Sequence, residues 1–166
     1  GLVKRVGVSN YGVDAMRAAS ARLQERGTRL ASNQIQLSLL YPFALENGLV
    51  DACRELDAEV LAYSPLGLGL LSGKYSKDKL PSGPRAELAK AFFAQDGATE
   101  LVAAVRATAE KHGGTPSQVA INWCRAKGTV PIPGARTLQQ ATDNLGALKW
   151  QLDTADLQRL DAACAK

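Results

Sequence analysis

Apolar and polar positions change period several times along the chain, and the changes mark out alternating strands and helices. Residues 2–9, with Val6-Gly7-Val8 at their centre, read as a short apolar strand. Asp14 to Arg26 carries a helical pattern that stops at Gly27. Asn33-Gln34-Ile35-Gln36-Leu37-Ser38-Leu39 alternates polar and apolar residues with period two and predicts a second strand. Glu46 to Leu56 places Leu49, Cys53 and Leu56 on one helical face, and Glu59-Val60-Leu61-Ala62-Tyr63 is a third strand. After a long loop rich in Gly, Pro and Ser, Thr99 to His112 sets Leu101, Val102 and Val105 on one side of a helix.

The next helix carries a clear start signal. Thr115 takes the N-cap, Pro116 the first helical position and Gln118 the third, where an amide can answer the cap. It runs to Ala126-Lys127, stops at Gly128, and gives way to a fourth strand, Thr129-Val130-Pro131-Ile132. Thr137-Leu138-Gln139-Gln140 repeats the capping pattern and opens a helix to about Leu148. Asp153 caps a last amphipathic helix with Leu157 and Leu160 on its apolar side. Strands separated by helices imply right-handed crossovers and a parallel sheet, so the expected class is α/β with four βα units. Function in such sheets gathers beyond the C-terminal ends of the strands. Four segments therefore carry the search: Ser9-Asn10-Tyr11, Gln34 onward, Tyr63 to Arg85, and Pro133 to Asn144.

Composition narrows the partners. Among 166 residues, 46% are apolar and 20 Lys plus Arg face 16 Asp plus Glu, a formal charge of +4. That is the composition of a globular domain with a core. The positive excess is spread evenly with no basic block, which argues against nucleic acid. No apolar run approaches the roughly 18 residues of a membrane span, so the chain is expected to be soluble. It begins Gly1-Leu2-Val3-Lys4-Arg5 and enters a strand at once, which suggests an internal piece of a longer protein. Cys53, Cys124 and Cys164 are far apart and lack ligand spacing, so they read as structural thiols. The one histidine, His112, precedes Gly113-Gly114 and reads as part of a helix C-terminus. No metal ligand set is expected.

Two phosphate motifs are suggested and then fail. Gly67, Gly69 and Gly73 form G-x-G-x-x-x-G, one residue too long for the dinucleotide fingerprint. The P-loop pattern has Leu68 where its first Gly belongs and Tyr75 where Ser or Thr belongs. The chemistry survives without either motif: a glycine-rich loop after a strand presents backbone N–H groups, and Ser64, Lys74 and Arg85 add donors. Ile132-Pro133-Gly134-Ala135-Arg136-Thr137 sets an arginine at the mouth of a helix, where free N–H groups attract anions. Thr137 and Gln140 equally suit simple capping.

Four segments together carry a family resemblance. Gly7-Val8-Ser9-Asn10-Tyr11, Asn33-Gln34-Ile35-Gln36, Ala62-Tyr63-Ser64-Pro65-Leu66-Gly67 with Ser72-Gly73-Lys74-Tyr75, and Pro131-Ile132-Pro133-Gly134-Ala135-Arg136 with Asp143-Asn144-Leu145 resemble the aldo-keto reductases, in family order. Leu80-Pro81-Ser82-Gly83-Pro84-Arg85 and Gln118-Val119-Ala120-Ile121-Asn122-Trp123-Cys124 look most like the plant and algal plastid members. The resemblance implies one partial domain over residues 1–166. It would be the C-terminal half, strands five to eight, of a (β/α)8 TIM barrel, whose full length is about 250 residues.

It also implies NADP(H) as cofactor. Ser9, Asn10 and Gln34 would hydrogen-bond the nicotinamide carboxamide, and Tyr63 would stack on its ring. Ser64, Pro65, Leu66, Gly67 and Leu68, with Lys74, would wrap the pyrophosphate. Gly134, Ala135, Arg136, Thr137 and Gln140, with Arg85, would meet the adenosine ribose and its 2′-phosphate. Asp143 and Asn144 would approach the adenine, although the family more often has Glu at the former. The implied partner is a small carbonyl compound, a pyridoxal-like aldehyde among the candidates, in plastid or cytoplasm. The family's proton-donor Tyr and its supporting Asp, Lys and His have no counterparts here, so no catalytic residue is assigned. The alternative is a truncated, non-catalytic dinucleotide-binding or regulatory module. Either way, open sheet edges would favour self-association.

Overall fold

The computed structural model describes residues 2–164. Its centre is a sheet of four parallel strands in the order β1 Val6–Ser9, β2 Leu30–Gln36, β3 Glu59–Tyr63 and β4 Val130–Ile132. Helix α1, Val13–Gln24, connects the first pair. Two short helices, α2 Phe43–Glu46 and α3 Leu49–Glu55, connect the second. Between β3 and β4 lie α4 Ala86–Phe93, α5 Ala98–Lys111 and α6 Pro116–Ala126; after β4 come α7 Leu138–Gly146 and α8 Thr154–Ala163. This is the α/β class with parallel pairing that the strand–helix alternation predicts.

One face of the sheet is buried and the other is not. Ile35, Val60 and Ala62 point toward the helices and pack with Met16, Cys53, Val119 and Trp123 into a single core. Trp123 is wholly buried yet keeps its indole N–H satisfied by Asp161 Oδ1 at 2.7 Å. A side chain of that size contributes about 3–5 kcal/mol through burial and filled volume. The opposite face, with Ser9, Gln34, Leu61, Tyr63, Val130 and Ile132, is covered by none of the described helices. Val130 and Ile132 remain 44% and 40% exposed.

Several expected boundaries move, each for a physical reason. The first strand begins at Val6 rather than residue 2, because Leu2 to Arg5 have no partner strand. The second strand spans Leu30–Gln36 instead of residues 33–39. A register shift between Val6 and Gly7 pairs Val6 with Leu30 and Gly7 with Ser32, so Ala31 is an extra residue. That bulge puts Leu30 and Asn33, three apart, on the same side and hides the period-two signal. Leu37 and Leu39 continue the alternation past the ladder as buried loop residues. The expected helix 46–56 is broken in two by Gly48 at φ +77°, a conformation that glycine adopts without the Cβ penalty. The loop after β3 contains a 3₁₀ segment Gly67–Ser72, a 3₁₀ turn Gly83–Arg85 and the unforeseen α4, which buries Ala89, Phe92 and Phe93. The helix expected to reach Leu148 ends at Gly146 and tightens into a 3₁₀ turn, Ala147–Lys149.

Candidate functional site

The parallel register aligns the strand ends. Ser9 lies opposite Gln34 and Gln34 opposite Leu61, while Gln36 lies opposite Tyr63 and Tyr63 opposite Ile132. Since side chains alternate along a strand, these residues share the face turned away from the helices. Ser9 Oγ donates to the Gln34 carbonyl at 3.0 Å and the Asn10 N–H to the same oxygen at 2.9 Å. Asn10 sits at φ +57°, a left-handed turn that aims the chain off the strand and is tolerable for Asn. Ser9, Asn10 and Gln34 thus form one group, a strand away from Tyr63.

Beyond the ends of β3 and β4 opens a cleft of about 960 Å³. It lies between the loop after Tyr63, the N-terminus of α6 and the β4–α7 connection. Of the residues singled out from sequence, all line it except Ser9, Asn10, Gln34, Gly67 and Thr137. Gly67 is buried beneath the loop, where a Cβ would come within 2.8 Å of Leu40 Cδ2. Thr137 acts as a cap: its Oγ1 accepts the Gln140 N–H at 3.2 Å, and Gln140 Oε1 accepts the Arg136 N–H at 2.7 Å.

The cleft wall is shaped by backbone conformations that few sequences adopt. Ser64 at φ +54°, Gly67 at +54°, Leu68 at +55° and Gly69 at +97° coil the chain tightly after β3. Two of these are not glycine, and strain of this kind concentrates at functional sites. Ser72 Oγ donates to the Gly69 carbonyl at 2.6 Å and Arg85 Nη1 to the Leu68 carbonyl at 3.2 Å, fixing the coil from both sides. Arg106 Nη2 donates to the Gly73 carbonyl at 2.9 Å and ties the loop to α5.

Charge completes the picture. Lys74, Arg85 and Arg136 all line the cleft. Among the described residues, none of the three is in an ion pair. These three cations outnumber the Asp143 carboxylate that lines the same cleft, and with the first turn of α7, whose leading N–H groups have no intrahelical acceptor, they make an anion-attracting concavity. Thr115, Pro116 and Ser117 also line it, and no local sequence pattern points there. Thr-Pro-Ser-Gln reads only as a cap, and its place in the wall depends on Gly73 packing against Pro116. Ile132, Tyr75 and Gln139 line it as well, from within or next to the strand-end segments that the sequence marks out.

Other reactive groups are accounted for elsewhere. His112, Asp153 and Asp156 lie within 4.8 Å of one another, a spacing compatible with a cation. Lys111 already supplies one: its Nζ is 2.6 Å from Asp153 Oδ2 and 2.9 Å from Asp156 Oδ1. His112 Nε2 donates to Asp156 Oδ2 at 2.6 Å and its ring stacks on Trp150 at 4.7 Å, so the side chain joins α5 to the C-terminal segment. Burial pushes Cys124 and Cys164 up to about 12 and raises Cys53 as well, so none of the three offers a thiolate near neutral pH. The structural reading of the cysteines agrees with this.

The profile of the Aldo/keto reductase family matches residues 1–165. The chain is 45% identical over 163 residues to a chloroplastic pyridoxal reductase of Arabidopsis thaliana, covering 98% of this chain and 44% of that protein. It is 30% identical to an NADP(+)-designated aldo-keto reductase of Schizosaccharomyces pombe, covering 99% of this chain and 49% of that one. Among solved structures, a thermostable aldo-keto reductase in complex with the inhibitor epalrestat superposes with a TM-score of 0.73 at 22% identity, over 96% of this chain and 48% of that chain. The chain therefore spans about half the length of the relatives it matches. None of the described helices is long and apolar enough to cross a membrane. With the family profile matched over nearly its entire length, the chain belongs to the aldo-keto reductase family.

Proposed function

We propose that this chain is the NADP(H)-binding half of a carbonyl reductase. Its four βα units would form strands five to eight of a (β/α)8 barrel, a reading supported by superposition on about half of a solved family member. The observation that carries the proposal is the cleft: three unpaired cations, an aromatic ring at a strand end and two helix N-termini meet in one concavity. Its volume of about 960 Å³ is at the upper end of the range of about 300–1,000 Å³ for small-molecule and cofactor sites.

The residues present fit a phosphorylated dinucleotide. Lys74 and the coiled loop from Ser64 to Leu68 offer charge and hydrogen-bond donors to a pyrophosphate. Arg136 and Arg85 suit a 2′-phosphate, since guanidinium groups bind phosphate in bidentate fashion. Tyr63 provides a flat apolar surface for the nicotinamide, and Ser9, Asn10 and Gln34 supply the hydroxyl and amide groups that a carboxamide requires. When bound, the cofactor would supply hydride to a carbonyl carbon. The chain's own part is to hold and orient it, because a positioned donor converts a bimolecular step into a nearly unimolecular one. The proton would come from residues outside those described here. Likeness to the Arabidopsis protein supports a pyridoxal-like aldehyde as substrate and a plastid location.

Titration of NADPH fluorescence against the chain tests this reading. Saturable binding is expected, with Arg136→Ala weakening NADPH by about 10–100-fold, the worth of a charged hydrogen bond, while NADH changes little. A flat titration, or equal losses for both nucleotides, sinks the assignment. With the complete protein, NADPH-dependent reduction of pyridoxal separates a reductase from a non-catalytic binding module.

A further inference from the structure

Helix α7 presents the arginine-bearing end of the cleft, yet packing does not hold it. No side chain of Leu138–Gly146 is buried. What ties it to the body is a polar clamp centred on Gln118 of α6. Gln118 Nε2 donates to the Asp143 carbonyl at 2.9 Å and to Asp143 Oδ1 at 3.2 Å. Thr115 Oγ1 donates to Asp143 Oδ2 at 3.2 Å. Trp150 Nε1 donates to Gln118 Oε1 at 3.1 Å, so the amide is anchored at both ends.

Two details mark the clamp as built rather than incidental. The N–H groups at the end of α7 go to the Asn144 and Leu145 carbonyls rather than to the Asp143 carbonyl. The Gln118 amide satisfies it and so serves as a C-terminal cap supplied by another helix. The Gln118 side chain also threads between two glycines. A Cβ on Gly114 would come within 2.9 Å of both Gln118 Oε1 and Trp150 Cζ2, and one on Gly146 would overlap the Gln118 amide nitrogen.

We propose that Gln118 is a positioning residue for the adenosine end of the cleft, and that Asp143 is the acceptor of this clamp rather than a contact to adenine. Both carboxylate oxygens of Asp143 are committed to α6. Two neutral donors thus hold the carboxylate toward α6, although Asp143 lines the same cleft. Through this hold Gln118 fixes the register of α7, and with it Arg136, Gln140 and Asn144, without touching the ligand. The inference rests on the dinucleotide reading of the cleft.

The test uses the full chain with two probes, NADPH and adenosine 2′,5′-bisphosphate. Gln118→Met keeps the length but removes donor and acceptor, and is expected to weaken both probes by about tenfold, the worth of one or two net hydrogen bonds. Gln118→Glu keeps an acceptor for Trp150 but turns an acceptor toward both the Asp143 carbonyl and its carboxylate, and is expected to weaken both probes more than Gln118→Met does. In the complete enzyme Gln118→Met should raise KM for NADPH and leave kcat near the parent value. Undiminished binding by Gln118→Met, or a Gln118→Glu variant that binds both probes as the parent does, overturns the inference while leaving the cleft's function standing. A parent chain that binds neither probe removes the dinucleotide reading and the inference together.

Discussion

Asp156 is a carboxylate with no exposed surface, and a small set of local donors holds its charge in place. Burial works to raise its pKa, and the neighbouring Asp153 charge adds to that, but the hydrogen bonds from His112, Lys111 and the Asp153 backbone outweigh both, and the net shift is downward. Asp153, hydrogen-bonded first by Lys111 and then by the Asp156 N–H, falls from 3.8 to about 2. Both carboxylates thus bind protons less readily folded than unfolded. Their stabilisation is complete above the ordinary carboxylate range and is lost on acidification, for Asp153 as pH falls from 3.8 toward about 2. Lys111 shifts the other way: its pKa is raised, so its share is present below 10.5 and disappears above it. The melting-temperature gap between the parent and Asp153→Asn should therefore be widest near neutral pH and close on acidification to about 2. A gap that is constant across that range would mean that the Asp153 charge is not what matters, since Asn keeps the cap. Of this cluster the sequence disclosed Asp153 as a cap, which it is, accepting the Asp156 N–H at 2.8 Å. It could not disclose the pairing of Asp156 with His112, because 44 residues separate them.

At the scale of elements, the helices with local start signals were the legible ones. Thr115 accepts the Gln118 N–H at 3.3 Å and Thr137 the Gln140 N–H, as the two capping patterns predict. Helix α4 was missed because its apolar stripe is only Ala89, Phe92 and Phe93, set after a run of Pro and Gly that reads as loop. The cleft was half legible for a related reason. Its loop and β4–α7 residues are marked by Gly, Pro and Arg next to strands, whereas its α6 wall is created by contact between distant segments. Gly73 is the joint: at φ +77° a Cβ would meet Pro116 Cγ at 2.9 Å. Gly48 has the same φ of +77° but open space around it. Comparing the two separates backbone strain from collision. Gly48→Ala should cost about 1 kcal/mol, the left-handed penalty less the entropy removed from the unfolded chain. Gly73→Ala should cost about 2 kcal/mol or more, because a rigid ring must also shift. It should weaken NADPH binding as well, since Lys74 follows it. Urea denaturation of both variants checks the order, and equal costs would rule out the Gly73–Pro116 contact as the joint.

For the molecule as a whole, the asymmetry of the sheet governs behaviour. Among the described residues, β1 pairs with β2 alone and β4 with β3 alone, so both edges present unpaired N–H and C=O groups. Between them runs a face that carries Leu61, Tyr63, Val130 and Ile132. Beside β4, Leu138, Leu145 and Leu148 are 85%, 62% and 62% exposed, an apolar stripe on α7 and the turn after it. Edges of this kind template pairing with other chains, and contiguous apolar patches drive association. The helices that would normally shield a parallel sheet cover only its other side. We therefore expect the 166-residue chain, on its own, to associate with copies of itself. Sedimentation velocity over a range of concentrations should show species larger than the monomer that grow with concentration. Lysines introduced at Val130 and Leu145, which lie on the exposed sheet face and stripe, should shift the distribution toward monomer without lowering the melting temperature, because neither side chain is buried in the core. A parent chain that stays monomeric at every concentration and melts in one cooperative transition would count against this account, since it would mean that these edges and this face are tolerated in water.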